Sequence, residues 1–395
     1  MIEINNKVDC CGCAACANIC PSTCIEMQED KEGFLYPNID KLKCTSCDLC
    51  KTVCPIINKT PIPKYDQVAY IIQNTNKEVL EESTAGGAFT EIARYVLEQG
   101  GVVFGVEMDE DYVVRHTHIK SECDLKKFRN SKYVQSITGS SYKEARKYLD
   151  LGKLVCYSGT PCQIEGLLTF LRRDYENLIL VDVVCRAVPS PGVWKKYISY
   201  YVDKHGKQKI IRFRDKTLGY QYSTMKLMGV DGKIHRGGVE SQQWLRMFFS
   251  GMIIRPSCTK CKFRGQYRNS DFTIWDCFSV HDIDKNFDEK SGTTRILIHS
   301  KKGIDIFEKI KSQLIYKKIP VDIAIKGVKE MFDSPVYHKN RTAFFADYEL
   351  IEFKDLLKKY FPVGLKQLVK KYIRLALNLL GMDIYVKRAL RRIKK

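Results

Sequence analysis

No stretch of this 395-residue sequence reaches the roughly 20 uncharged apolar residues that a membrane-spanning helix needs. The best candidate, Ile373–Met382, is broken by Arg374. A signal peptide is equally missing, since Met1-Ile2-Glu3-Ile4-Asn5 carries an acid and leads into no apolar run. Both absences point to the cytosolic side, where disulfides are rare. Acidic residues are scarce at one end only. From Lys354 to Lys395 there are 13 basic and 2 acidic residues, which supply +11 of the net +19. With the charge gathered in a tail and no recognition motif in view, a nucleic-acid channel through the body is disfavoured. The remaining composition, 44% hydrophobic and 28% charged, is that of a globular chain long enough for two or three domains. Cysteine is the abundant exception: 17 residues need a reason other than disulfides, and metal chemistry is the natural one.

Eight of those cysteines obey one rule. Cys10-x2-Cys13-x2-Cys16-x3-Cys20-Pro21 recurs as Cys44-x2-Cys47-x2-Cys50-x3-Cys54-Pro55, every member offset by 34. This is the spacing of bacterial dicluster ferredoxins, where the fourth cysteine of each run ligates the other cluster. Three thiolates from one tight loop hold three irons of a cubane, and the fourth comes from the opposite half. Cys10, Cys13, Cys16 and Cys54 are thus expected to hold one [4Fe–4S] cluster, and Cys44, Cys47, Cys50 and Cys20 the second. Zinc sites more often pair two knuckles across a longer spacer. Cys11 and Cys24 fall outside the rule and are expected to pack beside a cluster.

After residue 57 the pattern changes. Asn58-Lys59-Thr60-Pro61-Ile62-Pro63-Lys64 reads as a linker (58–66). Beyond it strands are expected at Val68–Gln73, Val102–Val106, Leu154–Ser158 and Leu178–Val184. Helices are expected at Ala88–Glu98, Tyr142–Leu149, Cys162–Arg173 and Trp194–Tyr201. This alternation predicts a mixed α/β sheet. Ile210–Phe213, Ser223–Val230 and Lys233–His235 read as an antiparallel excursion. Ser83-Thr84-Ala85-Gly86-Gly87-Ala88-Phe89 opens a helix, so its bare N–H groups suit a pyrophosphate as well as an ordinary cap.

Taken in order, the segments S-T-A-G-G-A-F, S-K-Y-V-Q-S, S-G-T-P-C-Q, D-V-V-C, F-R-D-K and R-P-S-C-T-K-C-K-F resemble the coenzyme F420 hydrogenase/dehydrogenase beta-subunit family. The resemblance runs from Cys10 to about residue 300. It implies an α+β ferredoxin-like dicluster domain (1–57) fused to a mixed α/β FAD-binding domain (67–340, in parts 67–150 and 151–340). It further implies FAD held by Ser83, Gly86, Gly87, Lys132, Gln135, Ser136, Ser158, Gly159 and Thr160. Arg214 and Lys216 are candidate catalytic cations beside the flavin or an acidic substrate; a solvated strand end with an Arg–Asp pair is the alternative. Cys162, Cys185, Cys258 and Cys261 suggest a third [4Fe–4S] cluster, against a lone zinc knuckle or two buried cysteines. Cys123 and Cys277 read as structural. Two departures bear on the substrate. Where relatives usually read Cys-His-Gly, this chain has Cys185-Arg186-Ala187, and where they carry Gly-Asp it has Trp275-Asp276.

The tail (341–395) carries Leu365, Leu368, Val369, Tyr372, Ile373, Ala376, Leu379 and Leu380 at helical spacing among Lys366, Lys370, Lys371 and Arg374. A second basic segment runs from Lys387 to Lys395. Two settings fit: an anionic inner-membrane surface, or a helical hairpin packed on its own domain. The expected function is a cytoplasmic iron–sulfur flavoprotein oxidoreductase. It would move electrons between a ferredoxin-like or catalytic partner protein, its clusters and FAD, with hydride-level transfer to a deazaflavin or other conjugated acceptor. The alternative is a non-catalytic electron-transfer adapter subunit.

Overall fold

A computed structural model describes residues 1–382, 385, 386 and 389. Two short strands, β1 (Ile25–Glu29) and β2 (Leu35–Ile39), pair antiparallel beside the cysteine loops. The chain then builds β3 (Val68–Asn74), β4 (Val102–Met108), β5 (Val114–Ile119), β6 (Val155–Gly159) and β7 (Leu178–Val183). A separate antiparallel sheet of β8 (Gln208–Arg212), β9 (Thr224–Gly229) and β10 (Ile234–Gly238) follows. Three last strands, β11 (Phe272–Asp276), β12 (Thr294–Ile298) and β13 (Leu314–Ile319), complete an eight-stranded sheet ordered β13-β3-β12-β11-β7-β6-β4-β5. Strands β4, β6, β7 and β11 run parallel, and β12, β13 and β5 run antiparallel to their neighbours. The fold is mixed α/β.

Strand alternation decides the two faces of this sheet. Val103, Cys156, Ile179 and Val181 face helices Ala88–Glu98 and Lys301–Ile310, which bury Ile92, Ala93, Val96, Ile306 and Phe307 against them. The neighbouring positions Phe104, Val155, Tyr157, Leu178 and Leu180 face helices Ser141–Asp150 and Pro161–Leu171. Cys11, Cys13 and Val53 join that second cluster, so the cysteine loops dock on this face. Docking is fixed by polar contacts too. Arg341 clasps Glu32 with two bonds of 2.7 and 2.6 Å, and Ser190 donates to the Glu32 carbonyl at 2.6 Å.

The expected strands and helices are all present, with ends moved by up to four residues. The tail departs from expectation. Phe344, Phe345, Tyr348, Leu356, Leu357 and Phe361 are buried with Trp194 and Trp244, so residues 341–361 belong to the core rather than to a tail. The amphipathic helix is Leu365–Leu379, and none of its residues is fully buried. Most of the basic segment Lys387–Lys395 lies outside the described residues. No helix among the described residues is long and apolar enough to cross a membrane.

Candidate functional site

The cysteines gather in three places. Cys16 lies among Cys10, Cys54 and Cys50, and burial together with these thiols pushes it up. Cys13 neighbours Cys10, Cys11 and Cys16. Cys54 has therefore crossed to the first run. Cys20, conversely, lines one small pocket with Cys24, Cys44, Cys47 and Cys50. Cys54 thus lies near the first run and Cys20 near the second, where an exchange of fourth cysteines would place them.

The third gathering joins distant loops. Cys185 lies next to Cys258, Cys162 and Cys261, and burial raises its thiol. Cys162 opens helix Pro161–Leu171, and the Thr160 hydroxyl stands 3.2 Å from its sulfur. Among the described residues no three Cys, His, Asp or Glu side chains meet around a single metal ion. A lone zinc needs thiolates about 2.3 Å from one point. A cubane is held by thiolates standing off around a cage, which is what three such quartets can offer.

Cys11 links the gatherings. It is fully buried, with side-chain contacts to Cys13 on one side and Cys162 on the other. Cys24, also off the ferredoxin spacing, stands 3.3 Å from Cys20. Both pack beside the candidate ligand sets. Cys277 is buried, whereas Cys123 is exposed beside Ser121 and packs in no core.

Cys185 also forms part of the wall of a cavity of about 1260 Å³. That exceeds the roughly 300–1,000 Å³ of ordinary ligand pockets. The cavity opens at the carboxyl ends of β4, β6, β7 and β11, where α/β sheets place their ligands. The start of helix Ala88–Glu98 points bare N–H groups at it. Gly87 precedes that helix at φ +81, and a Cβ there would meet Asn74 and Val79 at 3.1 Å. A side chain would strain the turn and crowd it.

Seven of the nine expected cofactor residues line this cavity: Ser83, Gly87, Lys132, Ser136, Ser158, Gly159 and Thr160. Two do not. Gly86 turns back into the sheet, its N–H donating to Thr294 Oγ1 at 2.8 Å. Gln135 faces the cysteines, donating to the Cys11 carbonyl at 3.0 Å and accepting from Arg255 at 3.0 Å. Of the two candidate catalytic cations, Arg214 lines the cavity and Lys216 does not. Lys216 sits behind the glycine loop, its ammonium donating to the carbonyls of Leu80, Ala85 and Ser291 at 2.5, 2.7 and 2.6 Å. It is a brace for the loop; three carbonyls converge where an ammonium has three donors.

Electrostatics around the cavity are set by burial. Burial opposes the Arg214 charge, but Asp276 at 3.0 Å together with Tyr133 and Tyr220 holds it firmly cationic. Burial lowers Lys132 to about 7 while its Nζ donates to the Lys127 and Arg129 carbonyls. Arg186, at the position where a histidine was expected from relatives, also lines the cavity and pairs with Glu330 at 3.2 Å. The Ser136 hydroxyl is 3.1 Å from His116, whose buried ring is lowered to about 4 and is neutral near pH 7. In the aromatic wall, Tyr133 and Trp275 lie in segments the sequence singled out, whereas Phe248 and Phe249 had no signal beyond composition. Room for a dinucleotide, a helix start and buried cations make the cavity a fit for FAD.

Comparison with known families agrees with the cysteine geometry. Residues 152–322 match the family described as the C terminus of the coenzyme F420 hydrogenase/dehydrogenase beta subunit, and residues 9–56 match the 4Fe–4S dicluster domain. Residues 152–322 thus carry the C-terminal domain of that beta-subunit family, behind a dicluster domain. No curated protein matches it. Among solved structures, a chain of the F420-reducing [NiFe] hydrogenase complex from Methanosarcina barkeri is similar at 17% identity and TM-score 0.44, covering 78% of this chain and 97% of that one. The dicluster domain and the family together mark an iron–sulfur member of an oxidoreductase family.

Proposed function

We propose that this chain is an iron–sulfur flavoprotein of an oxidoreductase complex that carries electrons between a partner protein and a conjugated, deazaflavin-like acceptor in its cavity. The observation that carries the reading is one of order. The Cys20/44/47/50 set neighbours the Cys10/13/16/54 set, Cys11 bridges the latter to Cys162, and Cys185 of the third quartet is in the cavity wall. When bound, the clusters supply single-electron carriage and FAD supplies hydride-level transfer.

The chain's own groups have separable roles. Gly87 and the helix start behind it would receive the pyrophosphate, with Lys132 and Ser131 on the facing loop. Lys216 keeps that loop closed from behind. Arg214, held in place by Asp276 and Tyr133, would stabilise negative charge at the ring end. Val181, Phe248 and Phe249 give the cavity an apolar wall that would shield that end. Cys47 is the exposed member of its set and marks the side where a redox partner would approach.

The adapter reading is favoured by one feature. Arg186 is tied to Glu330 where relatives usually have a histidine, so that position lacks a group able to shuttle protons near neutral pH. Anaerobic purification with iron, sulfide and flavin assays, followed by chemical reduction and addition of a deazaflavin, separates the two. Oxidation of the reduced flavin by deazaflavin alone supports the enzyme. Flavin reduction that stays on the protein until a second protein is added supports the adapter.

A further inference from the structure

The helix Leu365–Leu379 lies on the body with its polar side inward. At 3.6 residues per turn, Leu365, Leu368, Val369, Tyr372, Ile373, Ala376 and Leu379 share one face. That face points away from the protein, with Leu365 79%, Tyr372 64% and Leu379 86% exposed. The half-buried positions are Gln367, Lys371, Arg374 and Asn378 on the opposite face, with Leu375 and Leu377 at its flanks. Arg374 anchors the helix by an ion pair to Glu240, its guanidinium 3.8 Å above the Tyr222 ring. The preceding helix Phe353–Tyr360 does the reverse and buries Leu356 and Leu357. An amphipathic helix stabilised by its own domain would turn its apolar stripe inward. This one is held by polar contacts and presents the stripe outward.

What covers the stripe is indicated by charge. Lys366 and Lys370 border it on one side, both exposed. From Leu365 onward the sequence has ten basic residues and one acid. A second copy using the same face would bring two lysine borders together. An anionic bilayer accepts both features at once: the stripe enters the acyl boundary while lysine stems extend to the headgroups. We infer that Leu365–Leu379 is an interfacial helix that docks the intact protein on an anionic lipid surface.

The test uses the full-length, cluster-loaded protein and vesicles containing phosphatidylglycerol, against vesicles of phosphatidylcholine alone. Cosedimentation with the anionic vesicles and release at high salt are expected, because headgroup attraction is screened within about 10 Å at moderate ionic strength. Val369→Asp with Ile373→Asp, and separately Lys366→Glu with Lys370→Glu, should each weaken binding tenfold or more. Both pairs lie on exposed positions, so iron content and the visible spectrum should not change. Absence of binding to the anionic vesicles, equal binding to both vesicle types, or binding unaffected by either pair overturns the proposal. A dimer in sedimentation that Val369→Asp with Ile373→Asp dissolves, without vesicle binding, would assign the stripe to a second copy. Salt-sensitive binding to duplex DNA in place of vesicles would assign the charge to nucleic acid.

Discussion

The Arg255 guanidinium donates to the Cys10 carbonyl at 2.8 Å and stands 3.6 Å from the Cys10 sulfur. It is fully buried, and its other bonds go to the Leu35 carbonyl at 2.9 Å and Gln135 Oε1 at 3.0 Å. No carboxylate pairs with it within ion-pair distance among the described residues. Burial opposes this charge, and Cys10, Tyr36, Cys11 and Cys258 hold it in place. With clusters bound, the thiolates of Cys10 and its neighbours would be the anionic partner of this buried arginine. Gly12 makes room for it: a Cβ at that residue would lie 2.7 Å from the guanidinium, and its φ is +72.

Arg255→Gln should therefore lower the reduction potential of the cluster proposed at Cys10, Cys13, Cys16 and Cys54. A unit charge at about 7 Å through an effective dielectric of about 20 is worth roughly 2 kcal/mol, on the order of 100 mV for one electron. Arg255→Lys, which keeps the charge but loses donors, should recover most of the potential while lowering thermal stability. An EPR-monitored redox titration reads both. Equal potentials in all three proteins would reduce Arg255 to a packing residue.

Metal content offers a sharper count. Three quartets predict about 12 irons per chain, and Cys258→Ser should leave about 8 with the dicluster signals intact. A wild-type count near 8 would remove the third cluster. Zinc in place of iron would remove the whole assignment.

Much of this was legible because it is repetitive or continuous. The 34-residue echo is visible by eye, and β7 opens on the apolar run Leu178–Val181, buried on both faces. Strand β5 was not legible, because its inward positions include His116, a polar residue satisfied by Ser136 and Ser158. Strand β13 is an edge strand whose exposed Tyr316, Lys317 and Lys318 hide the pattern. Gln135 and Lys216 have cofactor-like neighbours in sequence, yet their side chains leave on the far side of the backbone. The partners of Arg255 are mostly carbonyl oxygens, which no sequence pattern announces.

Flavin retention should depend on two residues that play different parts. Gly87→Asp places a carboxylate at the helix start and a Cβ in a left-handed turn, and the protein should purify without FAD. Lys216→Met touches no cavity wall but leaves three carbonyls without their donor, at about 1–3 kcal/mol for each buried group. It should lower the melting temperature and loosen the loop, with flavin lost in parallel. A Lys216→Met protein with full flavin and unchanged stability would remove the brace.

The pH dependence of flavin binding follows from Lys132. Its ammonium, lowered to about 7 by burial, is charged below that pH and largely neutral above it in the empty cavity. A bound phosphate raises the value, so binding above pH 7 takes up a proton. Affinity should be flat below pH 7 and fall by up to tenfold per unit above it, until the raised value is passed. Lys132→Met should bind weakly with no such slope. Fluorescence titration of FAD from pH 6 to 9 checks the sign, and a wild-type affinity that rises with pH would exclude Lys132 as the phosphate partner.

Acceptor choice should turn on Arg186. Its guanidinium reaches Glu330 and the Phe249 carbonyl, both at 3.2 Å, and so ties the segment around residue 330 to the cavity wall. Arg264 supports the same place by donating to the Arg186 carbonyl at 2.7 Å. Restoring the relatives' pattern with Arg186→His and Ala187→Gly removes a fixed cation, frees Glu330 from that pair and adds a group that titrates near neutrality. Deazaflavin reduction by the chemically reduced protein should then rise at least tenfold, with a pH optimum set by the new imidazole. Glu330→Gln breaks the tie but adds no proton donor. If the tie alone limits access, Glu330→Gln will raise turnover as much as the double variant. If proton supply limits it, only the histidine protein will gain.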